Sequence, residues 1–319
     1  MRIAFSGSIA YDYLMNFPGS FKDHILPNML ERLSLSFLVD KMDRRPGGIA
    51  PNIAYNHALL GGDATVVGTV GVDFSGYRES LLAAGVKLDG VREVEGLFTA
   101  SFFVTTDEDH AQIASFYSGA MARSSEVRLA ELKPPPDLVV ISPDDPTTMR
   151  ERVLECEKAR LRYFYDPGQQ IVRLDNEDLR NGIAGAHMLF VNDYEFGLLV
   201  QKLGTSVEQI VGRGTILVIT KGAAGSVTYA DGLEHLVPAY PAAVEADPTG
   251  VGDAFRGGWL RGVAAGLSWD LCARVGALTA TYCLEHVGPQ GHRYSIAEFV
   301  ERFRRMHDDR GALNILLRS

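Results

Sequence analysis

Asp247-Pro248-Thr249-Gly250-Val251-Gly252-Asp253 sets two glycines and a terminal carboxylate immediately ahead of an apolar stretch. Gly250 and Gly252 can adopt backbone angles closed to other residues, so the N–H groups from Gly250 through Val251 and Gly252 to Asp253 can converge on an anion at the positive end of a helix. Asp253 then stands beside that anion, placed to take a proton from a hydroxyl. An anion cradle with a base at its rim is the minimum equipment for moving a phosphoryl group from ATP onto an alcohol, a reaction that rests on positioning and charge neutralisation. The same residues also make an ordinary turn and helix cap, so the segment points to a kinase only in company.

Company is present at four other places. Gly47-Gly48-Ile49-Ala50-Pro51-Asn52 precedes a helical stretch, and its glycines allow close backbone approach while Asn52 can both donate to and accept from a sugar hydroxyl. Asp12 follows the first strand, at the end of an α/β sheet where ligands bind, and a carboxylate there can clamp two neighbouring hydroxyls. Thr220-Lys221-Gly222-Ala223-Ala224-Gly225 follows an apolar strand; it can wrap a nucleotide with backbone groups or serve as a plain hairpin turn. In Asn192-Asp193-Tyr194-Glu195, hard oxygens suit magnesium held through water, and a capping box uses the same residue types.

Elements that must carry these groups are legible in outline. Ile3-Ala4-Phe5 is a short strand leading into a turn with Asp12, and Ala64–Val67, Leu138–Ile141, Tyr163–Tyr165, Met188–Val191 and Ile216–Ile219 are further apolar strands. Helical stretches near 52–60, 146–160, 175–185 and 193–203 separate them, which predicts a mainly parallel sheet covered on both faces. Leu33, Leu35, Phe37 and Val39 alternate with polar residues, and with 98–106 and 111–117 they predict a small separate sheet. Phe255, Trp259, Leu260, Val263 and Leu267 form a helical stripe of core-packing type, which would hold Asp253 steady at the start of a buried helix. The Pro134-Pro135-Pro136 run is a rigid connector within one unit spanning 1–319.

Composition narrows the class. A net charge of −9 with no dense Lys/Arg run argues against nucleic acid as a partner. Cys156, Cys272 and Cys283 are too widely spaced for a CxxC pair, and the eight histidines form no HxxxH or HExxH pattern. The amino terminus enters a strand directly, and no apolar run is long enough to span a bilayer, so a cytoplasmic protein without membrane association is expected. Neither GxxxxGK[ST], GxGxxG, His-Arg-Asp nor Asp-Phe-Gly occurs, which leaves an ATP user of another architecture.

Taken in order, the Gly47–Asn52, Asn192–Glu195, Thr220–Gly225 and Asp247–Asp253 segments resemble those of the ribokinase-like (PfkB) kinases across nearly the whole chain. Within that family Gly7–Asp12, Leu33–Asp40, Ala111–Tyr117 and Asp166-Pro167-Gly168-Gln169-Gln170 resemble the bacterial adenosine kinases of the mycobacterial type. The resemblance implies an α/β/α three-layer sandwich with a small β-sheet lid formed by about 13–45 and 96–120. It implies Asp253 as catalytic base, with Gly250, Val251 and Gly252 completing the anion hole. Asp12, Gly48 and Asn52 would hold ribose hydroxyls, Ser8, Ser36, Gln169 and Gln170 the nucleoside, and Phe102 and Phe116 the base. Asn192, Thr220, Gly222, Gly225 and Gly252 would attend ATP, and Glu195 would organise Mg2+ through water. The activity implied is phosphorylation of the 5′-hydroxyl of adenosine or a close purine nucleoside. A sugar kinase acting on ribose or fructose and a catalytically silent nucleoside-binding protein are the alternatives. Unpaired lid strands predict a homodimer. Pro248 and Val251 stand where many relatives carry other residues; proline removes one N–H, but ahead of the anion hole.

Overall fold

The computed structural model describes residues 1–25 and 34–318. The chain opens with β1 (Arg2–Ser6), β2 (Ala10–Asn16), β3 (Lys41–Gly47), α1 (Ile49–Leu59), β4 (Asp63–Val70), α2 (Ser75–Ala83) and β5 (Lys87–Glu93). It continues through β6 (Ala100–Thr106), β7 (Gln112–Tyr117), β8 (Leu138–Ile141), α3 (Pro146–Ala159), β9 (Arg162–Tyr165), α4 (Asn176–Ala184), β10 (Met188–Asn192), α5 (Asp193–Leu203) and α6 (Val207–Val211). It closes with β11 (Ile216–Thr220), β12 (Ser226–Ala230), β13 (Leu233–Val237), α7 (Val251–Ala264), α8 (Trp269–Leu284) and α9 (Ile296–Arg304).

Nine strands form one sheet in the order β13-β12-β11-β10-β9-β8-β1-β4-β5, parallel from β11 to β5 and antiparallel at β11–β12 and β12–β13. The chain fills the sheet outward from β1 in two directions, so the switch in strand order lies beside β1, and ligand crevices open at the carboxyl ends of strands at such a point. Alternation along β1 divides the core. Ile3 and Phe5 face a cluster with Phe74, Tyr77, Phe255, Trp259 and Ala273 from α2, α7, α8 and their approaches. Ala4 faces the opposite cluster with Met149, Leu179, Leu199 and Ile210 from α3 to α6. This is the three-layer α/β/α sandwich, and buried side chains such as Trp259 and Phe190 each contribute roughly 1.5–3 kcal/mol.

Four strands form a second sheet, β3-β2-β6-β7. It contains the two strands expected at 98–106 and 111–117, but its other members differ from expectation. Asp12 lies inside strand β2 rather than in a turn. Leu33 lies outside the described residues, and residues 34–39 carry no strand; the sheet is entered only at Lys41. Phe37 explains part of the misleading alternation. Its ring packs against Phe17 at 5.0 Å and Phe21 at 4.9 Å, while Leu38 is 87% exposed. Phe37 therefore serves a local aromatic cluster, not one face of a sheet.

Candidate active site

Helix α7 begins at Val251 with Gly250 as its N-cap, at φ 78° and with no side chain capping the first turn. A β-carbon on Gly250 would lie 2.3 Å from Pro289 Cβ, so only glycine fits both the left-handed angle and the space. Val251 N–H reaches Pro248 O at 3.4 Å, whereas the amides of Gly252 and Asp253 sit in the first turn, where no intrahelical carbonyl faces them. An open, uncapped helix start with free amides suits an anion.

Asp253 is seated by the neighbouring helix. Gly257, one turn further along α7, lies where a β-carbon would meet Ile53 O and Asn56 Cβ at 2.6 Å each. That close approach of α1 to α7 delivers the Asn52 Nδ2 donor to Asp253 Oδ2 at 2.9 Å. Gln290 completes the seat, donating from Nε2 to Asn52 Oδ1 at 2.8 Å and to the Tyr77 hydroxyl at 2.6 Å; Tyr77 in turn donates to Gly47 O at 2.9 Å. Burial pushes the Asp253 carboxyl up to about 6, against the Arg256 cation and the Asn52 amide. It is thus mostly ionised near neutral pH and still basic enough to accept a proton.

Asp12 approaches from the second sheet. Burial pushes it up to about 6, with Arg45 opposing and the charges of Asp253 and Asp247 adding, which places the two carboxyl groups within electrostatic reach across one cleft. A β-carbon on Gly47 would lie 2.5 Å from Asp12 Oδ2, so the missing side chain makes room for this carboxylate. Strand register aligns Arg45 with Asp12, Asp12 with Phe102, and Phe102 with Phe116. Directly opposed residues share a face, so charge and aromatic surface form one row across the small sheet. Phe116, at the sheet edge, is 49% exposed.

The remaining candidates fall into three groups. Ser8 and Gly48 are in place: Ser8 Oγ accepts from Ile49 N–H at 3.2 Å, and Gly48 caps α1 with φ 90°. Gln170 is buried, its Nε2 donating to Asp144 O at 2.7 Å while its Oε1 has no partner among the described residues; Gln169 is exposed beside it. Ser36 is exposed in the irregular segment before β3, and among the described residues no hydrogen bond ties it to the others. Asn192 and Glu195 form a capping box on α5, with Asn192 Oδ1 accepting from Glu195 N–H and Glu195 Oε2 accepting from Asn192 N–H, both at 2.7 Å. Thr220, Gly222 and Gly225 occupy the antiparallel connection of β11 to β12, so the hairpin reading holds, at the carboxyl edge of the sheet.

Two arginines escape a motif-based reading. Arg256, one turn beyond Asp253, lies buried with Nε 2.7 Å from Asp166 Oδ2 and Nη2 donating to Asp166 Oδ1 at 3.1 Å. Its Nη2 is also 3.9 Å from Glu195 Oε2, and its Nη1 lies 2.9 Å from the β-carbon position of Gly252. A fixed cation thus sits directly beneath the anion cradle. The helical spacing of Arg256 from Asp253 was the available signal, hidden inside an apolar stripe. Arg45 carries no such signal and emerges only from strand register.

Oxygen donors here do not make a bare metal cage. Among the described residues no three His, Cys, Asp or Glu side chains cluster tightly enough to hold an ion. Glu195, the acidic side chain nearest Arg256 besides Asp166, is engaged in its capping box with Asn192. Likewise, among the described residues no helix is long and apolar enough to cross a membrane.

The model of the pfkB family carbohydrate kinases matches residues 9–294. The nucleoside kinase of Methanocaldococcus jannaschii is 30% identical over 309 residues, covering 94% of this chain and 96% of that protein. The nucleoside kinase of Burkholderia thailandensis in complex with inosine superposes with a TM-score of 0.84 at 38% identity, over 95% of this chain and 97% of that one. The same enzyme in complex with ADP-inosine gives a TM-score of 0.82 over 95% of each chain, again at 38% identity. With a family model matching residues 9–294 of the 319, this chain belongs to the PfkB family of carbohydrate kinases.

Proposed function

We propose that this chain is an ATP-dependent kinase that phosphorylates the 5′-hydroxyl of adenosine or a close purine nucleoside. The observation that carries the reading is the meeting of Asp253, Asn52 and Asp12 at the uncapped start of α7. Asp12, Gly48 and Asn52 hold the ribose, and Phe102 and Phe116 cover the base. Asp253 takes the hydroxyl proton as the acceptor oxygen bonds to the γ-phosphorus and the bond to the bridging oxygen breaks, releasing ADP. Amides at the start of α7, from Gly250 to Asp253, neutralise charge on the moving group. Magnesium, when bound, supplies further neutralisation of the phosphates. Asn192, Thr220, Gly222 and Gly225, all at the carboxyl edge of β10 and β11, border the nucleotide. The strips at about 13–45 and 96–120, of which 26–33 lie outside the described residues, act as a lid that excludes water.

Support for a purine nucleoside comes from the inosine bound by the Burkholderia enzyme and from the aromatic end of the Arg45–Phe116 row. The unpartnered Gln170 Oε1 is an acceptor, suited to a base N–H. A panel of adenosine, inosine, ribose and fructose tests this directly: kcat/KM for a purine nucleoside should exceed that for either sugar by about 10² or more, since a free sugar gives the aromatic rings nothing flat to cover. Preference for ribose or fructose would return the protein to the sugar-kinase reading. Absence of ADP release with every acceptor would leave a silent nucleoside-binding protein.

A homodimer through the small sheet belongs to the same reading. β3 and β7 are its two edges, and Met42, Ile113 and Phe116 are exposed on them. Sedimentation velocity at assay concentration should give the mass of two chains; a single 34.8 kDa species would reject the dimer.

A further inference from the structure

Asp247 is the hub of the phosphate loop. Its Oδ1 accepts from Thr249 N–H at 2.9 Å, and its Oδ2 accepts from Gly288 N–H at 3.0 Å and from Arg45 Nη1 at 2.9 Å. Gly288 leads to Pro289, which backs Gly250, and to Gln290, which holds Asn52. The third partner is of a different kind, since Arg45 belongs to the small sheet and stands directly opposite Asp12 in the β2–β3 register. Its stem also passes 3.6 Å from the β-carbon position of Gly288, and its Nη2 lies 3.4 Å from Asp43.

We propose that Arg45 is a positioning residue for phosphoryl transfer, a guanidinium that locks the acceptor clamp on the small sheet into register with the phosphate loop on the large one. Two sheets meet at this cleft, and transfer requires the acceptor oxygen and the γ-phosphorus to meet within a few tenths of an ångström. Asp12 sets the first position and the Asp247–Asp253 loop the second. A single rigid fork that pairs with Asp247 while neutralising Asp12 links them, and it removes the like-charge repulsion that Asp12, Asp247 and Asp253 would otherwise exert across the cleft. Arg45 touches neither reacting atom.

The inference rests on the proposed reading that Asp12 clamps the acceptor. Its test uses the full chain with whichever acceptor in the panel the wild type prefers. Arg45→Met should raise the acceptor KM and lower kcat, each by about tenfold, the size of one charge-assisted contact, while the ATP KM moves by roughly twofold at most. Arg45→Lys should restore part of both, because a point charge neutralises but does not fork. The thermal midpoint should change little in both variants, since Asp247 keeps the Thr249 and Gly288 amides when Arg45 is lost. Unchanged acceptor KM and kcat in Arg45→Met would overturn the proposal. So would equal losses toward ATP and acceptor with a lowered midpoint and no recovery in Arg45→Lys, the signature of a merely structural contact. If the wild type transfers phosphate to no acceptor, the functional reading falls and takes this one with it; transfer indifferent to Arg45 sinks this one alone.

Discussion

Asp253→Asn should lower kcat by a factor of about 10² or more while leaving the fold and acceptor binding in place, the usual size of a lost general base. The amide is nearly isosteric and can still accept from Asn52 Nδ2 through its own Oδ1, which leaves the Gln290–Asn52 bond intact, so packing between α1 and α7 has no reason to change. What disappears is the α7 carboxylate proposed to take the hydroxyl proton as the new P–O bond forms. The pH profile should carry the same signature. Burial holds the Asp253 carboxyl at about 6, so the basic form predominates above that pH and is lost as pH falls through it. Wild-type kcat/KM should therefore show an acid limb near pH 6, shared with Asp12, whose carboxyl is also pushed up to about 6. The Asn variant should lose the part of that limb belonging to residue 253. Wild-type turnover in Asp253→Asn would remove the assignment outright.

Arg256→Met should be the most destabilising single change in the site. It leaves Asp166, 1% exposed, without its guanidinium partner, and stripping one member from a buried pair costs roughly 3–5 kcal/mol. In a chain of this length that corresponds to a thermal midpoint lowered by ~4–8 °C. Arg256→Met combined with Asp166→Asn should recover much of this, because a neutral pair no longer buries a naked charge. Activity should not recover with it. The cation beneath Gly252 would still be missing, and loss of the Arg256 charge raises the Asp253 carboxyl further, moving the acid limb upward. Calorimetry on the two variants checks the first part and a pH profile of the double variant the second. A double variant that regained both stability and turnover would reduce Arg256 to a packing element.

How far the sequence reached differs by element. Val139, Val140, Leu189 and Val218 lie on strands buried on both faces, so their continuous apolar runs could be read directly, and with them the parallel sheet. The start of α7, with Gly250 as its cap and Asp253 in its first turn, was legible because local spacing fixes a helix start, whereas α1 begins at Ile49, three residues ahead of the expected start at Asn52. The small sheet resisted for a physical reason. β3 runs Lys-Met-Asp-Arg-Arg-Pro-Gly, pairs on one side only and is largely exposed, so it has no apolar face to announce it. In the alternating stretch before it, Phe37 is apolar because it joins a local ring cluster, not because it lines a sheet face. The Arg45–Asp247 pair joins residues 202 positions apart and depends on strand register, which no local motif encodes. Asn192 and Glu195 show the opposite limit. Their spacing was legible, but a capping box and a phosphate-metal contact use the same two side chains, and the capping box is what the fold displays.

The most direct measurement is the identity of the product. The chain, ATP, Mg2+ and adenosine or inosine are incubated together, and the phosphorus-containing species are followed by ³¹P NMR and mass spectrometry. A nucleoside 5′-monophosphate appearing in step with ADP, one for one, is what a carboxylate at 253 facing a ribose held by Asp12 and Asn52 predicts. ADP accompanied by inorganic phosphate alone, or phosphate on any ribose position other than 5′, would contradict it.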